Sequence, residues 1–597
     1  MEYSFITSAS DLCQIAERIS RVSVLGLDVE TTSLDPRHGQ IRLVQVIVPG
    51  KGNDGRGDIF VIDLFKTGGL GPILRAFVDT KAIFVVHNAK FEQKWFWWKY
   101  RIRLWPVFCT MRASALIYNG KRGLRYDLDS VVSRELNEIS KNTGQGSSNW
   151  AGILTQVQRD YAAEDVLRLL SLRDVLKSKL ASHGLLTAAL IEFGVLFAEG
   201  RVELNGLPID RERWLALADA NRIERDRMRE SLLYELPHPV GQMSLPGMSC
   251  AWNVNSSQQM LKSLKKLGLK ISGTEEIELA QYVVKYPVVK SVIDYRHIDK
   301  RVSTYGEGFL RHVDSDGRIH PDYYGQLVTG RYSANKSLQQ IPGMFEFRDC
   351  FRPPDGRWLV GCDYSGVEMR LCAEISGDPV LIQVFVDGLD AHRATAAVIV
   401  EIRVEDVTKE QRSAAKPVNF GLIYGMMPDK LVLYAMSNYG VILSLSDAKM
   451  YRKRYFEQYK GIERWHKRVL REGKRCGASR TLSGRIRYLD ASEAHNEYYN
   501  TPIQGTGADM LKTGLAIVQD KVDDVFGVTP KETPDGPVAI DHHVHDEIIL
   551  ECDEDPEMIK ECENLLASSM KQGMEKFVRR VPAEVDCSNG RSWAEIH

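Results

Sequence analysis

The sequence predicts a multidomain protein in which an α/β unit is followed by a larger α+β unit. The chain has 597 residues, which is more than one hydrophobic core normally holds. Within the first 190 residues, apolar runs of strand length recur at positions 22–29, 41–48, 59–64 and 82–86. Beyond about residue 320, strand-like segments precede helical ones, and a hairpin is predicted near 538–552.

The composition argues against several classes of protein. The 44% share of hydrophobic residues and the formal charge of −1 are those of an ordinary globular chain. No apolar run reaches about 18 residues, so no membrane span is expected, and the N-terminus lacks the pattern of a signal peptide. The ten cysteines form no C-x-x-C pair and no Cys/His cluster, which predicts a reduced intracellular protein without structural zinc.

Carboxylates stand at the end of the first predicted strand of the α/β unit. Asp28 and Glu30 lie two residues apart and therefore share a face of that strand, where their oxygens suit Mg²⁺ or Mn²⁺. Alone, such a pair is more often a solvated strand end. Two further segments favour a metal site, namely residues 87–92 after another apolar run, and Tyr161 with Asp165 one helical turn apart.

The middle of the chain is predicted to be mainly helical and rich in Arg, Glu and Leu between residues 191 and 300. A break containing Pro, Gly and Ser at 238–249 interrupts these helices, and the segment 528–537 is predicted to be a solvent loop. Residues 449–487 hold fourteen Lys and Arg against three Glu, with aromatic residues interleaved. This stretch suits either a nucleic-acid backbone or a solvated basic helix face, and both interpretations stay open.

Two distant carboxylates and a helical stripe mark the α+β unit. Asp363 ends an apolar strand, and Asp546 follows His545 at the turn of the predicted hairpin. Between them, residues four apart on a helix advance about 400°, so they form one slowly rotating stripe. The stripe holds two cations and two aromatic rings, Arg412, Lys416, Phe420 and Tyr424. Cations suit a triphosphate and rings suit a sugar and base.

These segments resemble the motifs of a known family. D-Y-S-x-x-E from Asp363, R-x₃-K-x₃-F-G-x₂-Y-G from Arg412, and V-H-D-E around Asp546 are similar to motifs A, B and C of family A DNA polymerases. The N-terminal carboxylates resemble those of the Tyr-containing DEDD 3′–5′ exonucleases. The resemblance covers essentially the whole chain and is closest to the large, Klenow-type fragments of bacterial members, so no 5′-nuclease domain is expected.

The resemblance implies a fold and domain boundaries. A ribonuclease H-like exonuclease domain is expected at 1–190, followed by a right-hand polymerase. Its thumb would span 191–330, its palm 331–400 and 488–597, and its fingers 401–487.

The resemblance also implies a role for each polymerase residue. Asp363, Asp546 and the backbone carbonyl of Tyr364 would hold two Mg²⁺, for which Mn²⁺ could substitute, and Lys416 is a candidate general acid. Glu368 would exclude a ribose 2′-hydroxyl. The residues expected to bind the dNTP are Arg412, Lys416, Phe420, Tyr424, Glu368 and His392. The residues expected to bind DNA are Arg331, Gln339, Arg485, Asn500, Gln504 and His545.

In the exonuclease domain, Asp28, Glu30 and Asp165 would bind two further metal ions, and Tyr161 would position the attacking water. Glu92 would complete the set, although the family usually has Asp at this position. Two other departures are Pro417, inside the presumed fingers helix, where proline can kink the backbone, and Asn496, where an Arg is common.

The predicted activity is template-directed addition of dNTPs to a primer 3′ end, with 3′–5′ proofreading, in DNA replication or repair. The expected partners are primer-template DNA and dNTPs, with helicase, primase or processivity factors as further candidates. We expect a monomer, located in a bacterial or host cytoplasm or in an organelle after loss of a presequence. The alternatives are a single-subunit RNA polymerase, and a DNA-binding scaffold or exonuclease whose polymerase half is inactive.

Overall fold

The computed structural model describes residues 2–50, 57–138, 145–239, 252–490, 492, 495–527 and 536–596. Its N-terminal unit is a six-stranded sheet in the order β1-β4-β3-β2-β5-β6. The strands are β1 (Ser4–Ile6), β2 (Val24–Thr31), β3 (Ile41–Val48), β4 (Asp58–Asp63), β5 (Ile83–Val86) and β6 (Val107–Cys109). The four strands expected from the apolar runs are therefore confirmed. Strand β3 is antiparallel to both neighbours, whereas β2, β5 and β6 are parallel.

Helices cover both faces of this sheet, which is why every residue of β3 is buried. They are α1 (Leu12–Ser20), α2 (Leu64–Thr67), α3 (Pro72–Asp79), α4 (Lys90–Tyr100), α5 (Thr110–Ile117), α6 (Leu128–Leu136), α7 (Gln156–Leu167), α8 (Leu169–Ser182) and α9 (Leu186–Gly194). Helix α7 packs against β2, β3 and β4. It therefore presents its residues at the strand that carries Asp28 and Glu30.

A mainly helical region follows, as predicted. Its elements are α10 (Leu196–Asn205), β7 (Leu207–Pro208), α11 (Arg211–Glu235), α12 (Ser257–Lys266), α13 (Glu276–Ala280), α14 (Pro287–Tyr305) and β8 (Arg318–Ile319). The long helices α11 and α14 pack together over a small apolar core of their own. Most of the predicted break at 238–249 lies outside the described residues.

A four-stranded antiparallel sheet forms the centre of the C-terminal unit, in the order β14-β15-β11-β16. Its strands are β11 (Arg357–Tyr364), β14 (Val538–Val544), β15 (Glu547–Asp553) and β16 (Val585–Gly590). Helices α23 (His495–Phe526) and α24 (Pro556–Glu575) pack on it. The predicted hairpin is therefore confirmed, and residues 528–535 of the predicted loop before it lie outside the described part of the chain.

Smaller elements connect these layers. Before α23 they are β9 (Tyr323–Tyr324), β10 (Ser333–Ala334), α15 (Phe345–Arg348), α16 (Val367–Ser376), α17 (Pro379–Val386), α18 (Ala391–Val400), α19 (Lys409–Ile423), α20 (Pro428–Tyr439), α21 (Leu445–Gln458), α22 (Lys460–Cys476), β12 (Ala478–Arg480) and β13 (Ile486–Tyr488). Helix α19 runs through Pro417 to Ile423 without a break. The expected consequence of Pro417 is therefore limited to the loss of one backbone donor inside this helix.

The structure corrects the prediction that all cysteines are reduced. Cys362 and Cys587, which are 225 residues apart in sequence, are joined by a disulfide. They face each other across the antiparallel pairing of β11 and β16. The prediction was wrong for this pair because only the strand register brings the two sulfurs together. Among the described helices, none has both the length and the apolar character needed to cross a bilayer.

Candidate active sites

Three carboxylates converge at β2, an interior strand of the N-terminal sheet. Asp28 and Glu30 share one face of β2, and Asp165 comes from α7, which packs on that strand. One carboxylate oxygen from each lies within 4.8 Å of the other two, and this is a group of described residues able to hold a metal ion. The structure therefore brings together three residues that are separated by up to 137 positions in the sequence.

The charges of this cluster are unfavourable without a cation. Burial raises the pKa of Asp28 to about 7. Burial, followed by the negative charges of Asp28, Asp165 and Glu92, raises the pKa of Glu30 to about 10. Carboxylates crowded in a low-dielectric site keep protons unless a positive charge compensates them. Hard oxygen donors in this arrangement fit a divalent cation such as Mg²⁺.

Glu92 and Tyr161 border the cluster. Glu92 stands in the first turn of α4, is 2% exposed, and its Oε2 has no hydrogen-bond partner among the described residues. Burial, and then the charge of Asp28, raise its pKa well above the usual range. Tyr161 lies one turn before Asp165 on α7, and its hydroxyl interacts with that carboxylate. Both side chains therefore lie beside the three carboxylates, and their roles stay predictions.

The second pair of carboxylates lies at one end of the C-terminal sheet. Asp363 is near the end of β11, and Asp546 occupies the turn between β14 and β15. The backbone N–H of Tyr364 donates to the Asp546 carbonyl at 3.3 Å, which fixes the turn beside the strand. Burial, and then the charge of Asp363, raise the pKa of Asp546 to about 7. This pair also has the donor chemistry of a divalent cation site.

Glu368 lies in the first turn of α16 and is held by an ion pair. Arg331 Nη2 donates to Glu368 Oε1 at 2.9 Å. Tyr424, at the end of α19, lies next to Glu368 and Gln504, and burial followed by the charge of Glu368 raises its pKa well above the usual range. A carboxylate, a guanidinium and a phenol thus meet close to Asp546, whose pKa responds to both Arg331 and Glu368.

The predicted stripe lies along α19, and its residues are partly exposed on one face. Arg412 donates to Asp390 Oδ2 through Nε at 2.8 Å and Nη2 at 2.6 Å. The His392 and Phe420 ring centroids are 5.4 Å apart. Burial, reinforced by Arg412 and Lys416 and opposed by Asp390, lowers the pKa of His392 to about 4. His392 is therefore neutral at physiological pH, and the stripe keeps two cations.

Several residues expected to bind DNA lie around the Asp546 turn. Arg331, Gln339 and His545 line one small cavity together with Tyr332. Gln339 Nε2 donates to the His543 carbonyl at 2.7 Å, and the Asn500 Oδ1 atom is buried without a partner among the described residues. Gln504 lies on the same helix, α23, and is half-buried. Their amide and imidazole groups are suited to hydrogen bonding with base edges.

Arg485 is the exception among the predicted DNA-binding residues. It is 3% exposed, and its Nε donates to Asp509 Oδ1 at 2.9 Å while Nη2 donates to Glu192 at 2.6 Å. This burial does not fit the predicted contact with DNA, so that assignment is corrected. Its guanidinium instead joins β13 to α23 and α9, which a sequence motif alone does not reveal.

The sequence analysis missed residues that hold the site in place. Asp390 caps α18 and binds Arg412, and its position as an Asp before a predicted helix was the available signal. The Tyr323 ring stacks on His543 with a centroid distance of 4.1 Å, and the Tyr332 ring packs against His543 at a tilt of 55° with a centroid distance of 4.4 Å. These tyrosines carried no pattern that the sequence could have revealed, because their partner lies about 200 residues further on.

The basic stretch lines a cavity of about 950 Å³ between α20, α21, α22 and the start of α23. Arg452 lies over the Phe456 ring, 5.0 Å from its centroid. Tyr424 and Gly425 form one end of the lining, and the exposed Asn496 contributes to another part of it. The basic lining residues are Lys430, Lys449, Arg452, Lys453, Lys460, Lys467 and His495. A cavity with cations and an aromatic wall favours a nucleic-acid backbone over a simply solvated face.

Two protein families match this chain, one in each of its two units. Residues 3–181 match a family described as 3′–5′ exonuclease, and residues 243–595, more than half of the chain, match DNA polymerase family A. DNA polymerase I of Aquifex aeolicus is 31% identical over 620 residues, and the match covers the whole of both chains. DNA polymerase I of Pseudomonas aeruginosa is 28% identical over the whole of this chain but only 66% of its own length.

Solved structures include a protein with the same fold. It is the POL domain of Pol1 from M. smegmatis, in a complex with DNA primer-template and dNTP. The TM-score is 0.81 at 24% sequence identity, and the superposition covers 99% of this chain and 100% of that one. The similarity of fold therefore extends over both units of this chain.

Proposed function

The chain belongs to DNA polymerase family A and carries a 3′–5′ exonuclease domain, and from this premise we propose how its residues carry out the two reactions. The family makes it a template-directed DNA polymerase that depends on a divalent cation, in replication or repair. This excludes the alternative of a single-subunit RNA polymerase. The residue roles, the choice of Mg²⁺ and the domain boundaries at 190, 330, 400 and 487 are proposals.

Asp363 and Asp546 hold the cations of the polymerase reaction. The observation that carries this assignment is the convergence of the two carboxylates, where burial and mutual repulsion raise the pKa of Asp546 to about 7. Mg²⁺ bound there would neutralise phosphate charge and favour ionisation of the primer hydroxyl. Tyr364 follows Asp363 in the chain and its N–H donates to the Asp546 carbonyl, so we add the Tyr364 carbonyl to the proposed set of oxygen donors.

The nucleotide binds against α19. Arg412 and Lys416 face the triphosphate, and Asp390 keeps the Arg412 guanidinium oriented until the phosphates compete for it. Phe420, with the neutral His392 beside it, packs against the sugar and base. Lys416 is placed to give a proton to the leaving pyrophosphate. Glu368, fixed by Arg331, blocks the space that a ribose 2′-hydroxyl would need.

The primer-template lies across the Asp546 turn. Arg331, Gln339 and His545 line the cavity next to it, and Asn500 and Gln504 follow on α23. Minor-groove acceptors are nearly the same for every base pair, so such residues can hold any sequence. The M. smegmatis domain of the same fold is a complex with primer-template and dNTP, which supports the same partners for this chain.

The exonuclease reaction is assigned to the N-terminal cluster. Asp28, Glu30 and Asp165 hold cations, Glu92 supplies a fourth carboxylate, and the Tyr161 hydroxyl orients the attacking water. Their separate position in the chain allows one unit to remove what the other adds. Helicase, primase and processivity factors remain candidate partners.

The polymerase assignment is tested with Asp546→Asn, which keeps the side-chain shape and removes its charge. We expect primer extension to fall by about 1,000-fold or more, because charge neutralisation at the phosphates is the main contribution to phosphoryl transfer. Primer-template affinity, measured by fluorescence anisotropy, should change less than about threefold. Asp294→Asn, on the exposed side of α14, is the matched control and should extend primers normally.

Robust extension by Asp546→Asn would refute the assignment. Chelation of divalent cations should stop extension by the native chain, and added Mg²⁺ or Mn²⁺ should restore it. A native chain that binds primer-template but never extends it would instead support the scaffold alternative.

A further inference from the structure

The loop that carries Arg331 is fastened to the exonuclease unit. We define the Arg331 loop as residues 325–332, which lie between β9 and β10. Asn119 follows α5 of the exonuclease unit, is 9% exposed, and its Nδ2 donates to the Val328 carbonyl at 2.9 Å. The same Nδ2 donates to the Ile486 carbonyl on β13 at 2.7 Å. One carboxamide therefore joins the exonuclease unit to two segments of the polymerase unit.

The joint at Asn119 involves the backbone as well. The Asn119 carbonyl accepts from the Tyr488 N–H at 2.9 Å. Gly120 adopts a φ of +89°, and a Cβ on it would lie 2.4 Å from the Tyr488 carbonyl oxygen. Only glycine suits both this conformation and this close approach. The two units are thus in direct main-chain contact at this point.

Tyr332, on the C-terminal side of Arg331, is also connected to the exonuclease unit. The Tyr332 hydroxyl donates to Glu199 Oε1 at 2.6 Å, and Glu199 Oε2 accepts from Arg112 Nη2 of α5 at 2.6 Å. The Arg485 guanidinium packs against Gly330, since a Cβ there would lie 2.9 Å from Arg485 Nε. The Arg331 loop is therefore held at Val328, Gly330 and Tyr332, on both sides of Arg331.

We propose that Asn119, although it belongs to the exonuclease unit, is a positioning residue for the polymerase reaction. Its Nδ2 donor holds the Val328 carbonyl, and this keeps Arg331 in place to bind Glu368 and the primer end. The proposal rests on the roles assigned above to Arg331 and Glu368. In this proposal the exonuclease unit helps to hold the polymerase site in its active geometry, in addition to carrying out its own reaction.

Two substitutions of Asn119 distinguish hydrogen-bond donation from simple space filling, because the two roles predict opposite orders of harm. Asn119→Asp is almost isosteric but faces two carbonyl oxygens with an ionised acceptor, so it replaces attraction with repulsion. Asn119→Ala leaves a small cavity and two carbonyls without this donor. Donation predicts that Asp is the more harmful substitution, whereas packing predicts that Ala is.

The experiment measures three quantities at pH 8 for the native chain and both variants: kcat, the KM for primer-template, and the rate of single-stranded DNA digestion. For Asn119→Ala we expect KM to rise about tenfold, which corresponds to about 1.4 kcal/mol and is the order of loss expected when the hydrogen bond to the Val328 carbonyl is removed, with kcat and digestion within about twofold of native. Asn119→Asp should raise KM further. Gln93→Ala is the matched control, because this buried carboxamide bonds only to Leu104 inside the exonuclease unit, and its KM should stay native.

Three outcomes would overturn the proposal: a native KM in both variants, an equal loss of both activities, or a milder effect of Asp than of Ala. Failure of the native chain to extend primers at all would refute the proposed function instead. The two failures are therefore distinguishable in one set of assays.

Discussion

Glu92 has one methylene group more than the Asp that the family usually has at this position. Its carboxylate is buried, its Oε2 is unpartnered among the described residues, and its pKa lies well above the usual range because of burial and Asp28. Without a cation it therefore keeps a proton. A divalent cation bound by Asp28 would reverse this preference, because an adjacent positive charge favours the ionised carboxylate. Glu92 is therefore a proposed ligand whose ionisation depends on a bound cation.

Glu92→Ala should lower the rate of single-stranded DNA digestion by about 100-fold, since removing a ligand from a two-metal site disturbs both charge and geometry. Asp28→Ala/Glu30→Ala provides the inactive reference, and Glu17→Ala, an exposed residue of α1 paired with Arg21, provides the control. Digestion is followed on a labelled single-stranded oligonucleotide. Native digestion by Glu92→Ala would show that the site works with three carboxylates.

For single residues, the sequence was informative where the spacing between two residues determines whether their side chains share a face of a strand or helix. Asp28 and Glu30 could be placed on one strand face, and Tyr161 and Asp165 on one helix face, from the periods of two and 3.6 residues alone. Arg485 could not be placed, because its burial depends on Asp509, which is 24 residues away and on a different element. The sequence around a basic residue does not show whether that residue is exposed to DNA or buried in an ion pair.

Helix α19 carries the proposed nucleotide contacts, and its N-terminus is fixed by a capping box. The Thr408 side chain accepts from the Gln411 N–H, and the Gln411 side chain accepts from the Thr408 N–H. Arg412 follows in the next turn. Because Pro417 has already removed one backbone donor from the interior of the helix, the cap contributes a large share of what fixes its first turns.

Thr408→Ala should lower the free energy of unfolding by about 1 kcal/mol and raise the KM for dNTP severalfold, because fraying displaces Arg412. Ser444→Ala removes an equivalent capping box from α21, which does not carry the stripe. It should cost a similar stability while the KM for dNTP stays native. Urea unfolding and single-nucleotide extension measure the two effects. Equal KM changes in both variants would contradict the specific role of α19.

Strands and helices could be predicted where a short run of apolar residues marks the buried segment. The strands of the first unit and the hairpin of β14 and β15 follow from apolar runs of strand length, as expected for segments buried within one domain. The pairing of β11 with β16 was not predictable, and with it the disulfide between Cys362 and Cys587. Sheet register between segments more than 200 residues apart depends on the whole fold.

Across the whole molecule, a buried ionic cluster joins the exonuclease and polymerase units. Glu192 of α9 is fully buried and binds Arg112 of α5, Arg485 next to β13, and Lys512 of α23. Although burial alone would raise the pKa of Glu192, these three cations hold it well below the usual range. Burial, opposed by Glu192, lowers the pKa of Lys512 to about 8.

This cluster lies close to residue 190, where the sequence predicts the first domain boundary, and that boundary stays a prediction. The family matches end at 181 and resume at 243. Between them, α10 belongs to both units: Leu196 packs in the first core and Val202 in the second. Composition shifts and loop signals mark boundaries only where few contacts cross. Here the chain continues through a shared helix, so no such signal was available.

Glu192→Gln should lower the free energy of unfolding by about 3 kcal/mol or more at neutral pH, because it leaves three buried cations without their shared carboxylate. Urea unfolding measures the loss. Asp294→Asn breaks an exposed pair with Lys290 and should cost less than about 0.5 kcal/mol. A loss for Glu192→Gln as small as that of the control would mean that the cluster contributes no net stabilisation at this position.

The pH dependence of that loss identifies the ionic cause. In the native chain the folded pKa of Lys512 is about 8, below the usual 10.5, so the unfolded state binds more protons between these values and stability rises with pH there. Without Glu192 the folded pKa of Lys512 falls further. Below pH 8 the variant therefore continues to lose stability as the pH decreases, whereas this contribution is constant in the native chain. The difference in unfolding free energy should be larger at pH 6.5 than at pH 8.5, and a pH-independent difference would indicate lost packing instead.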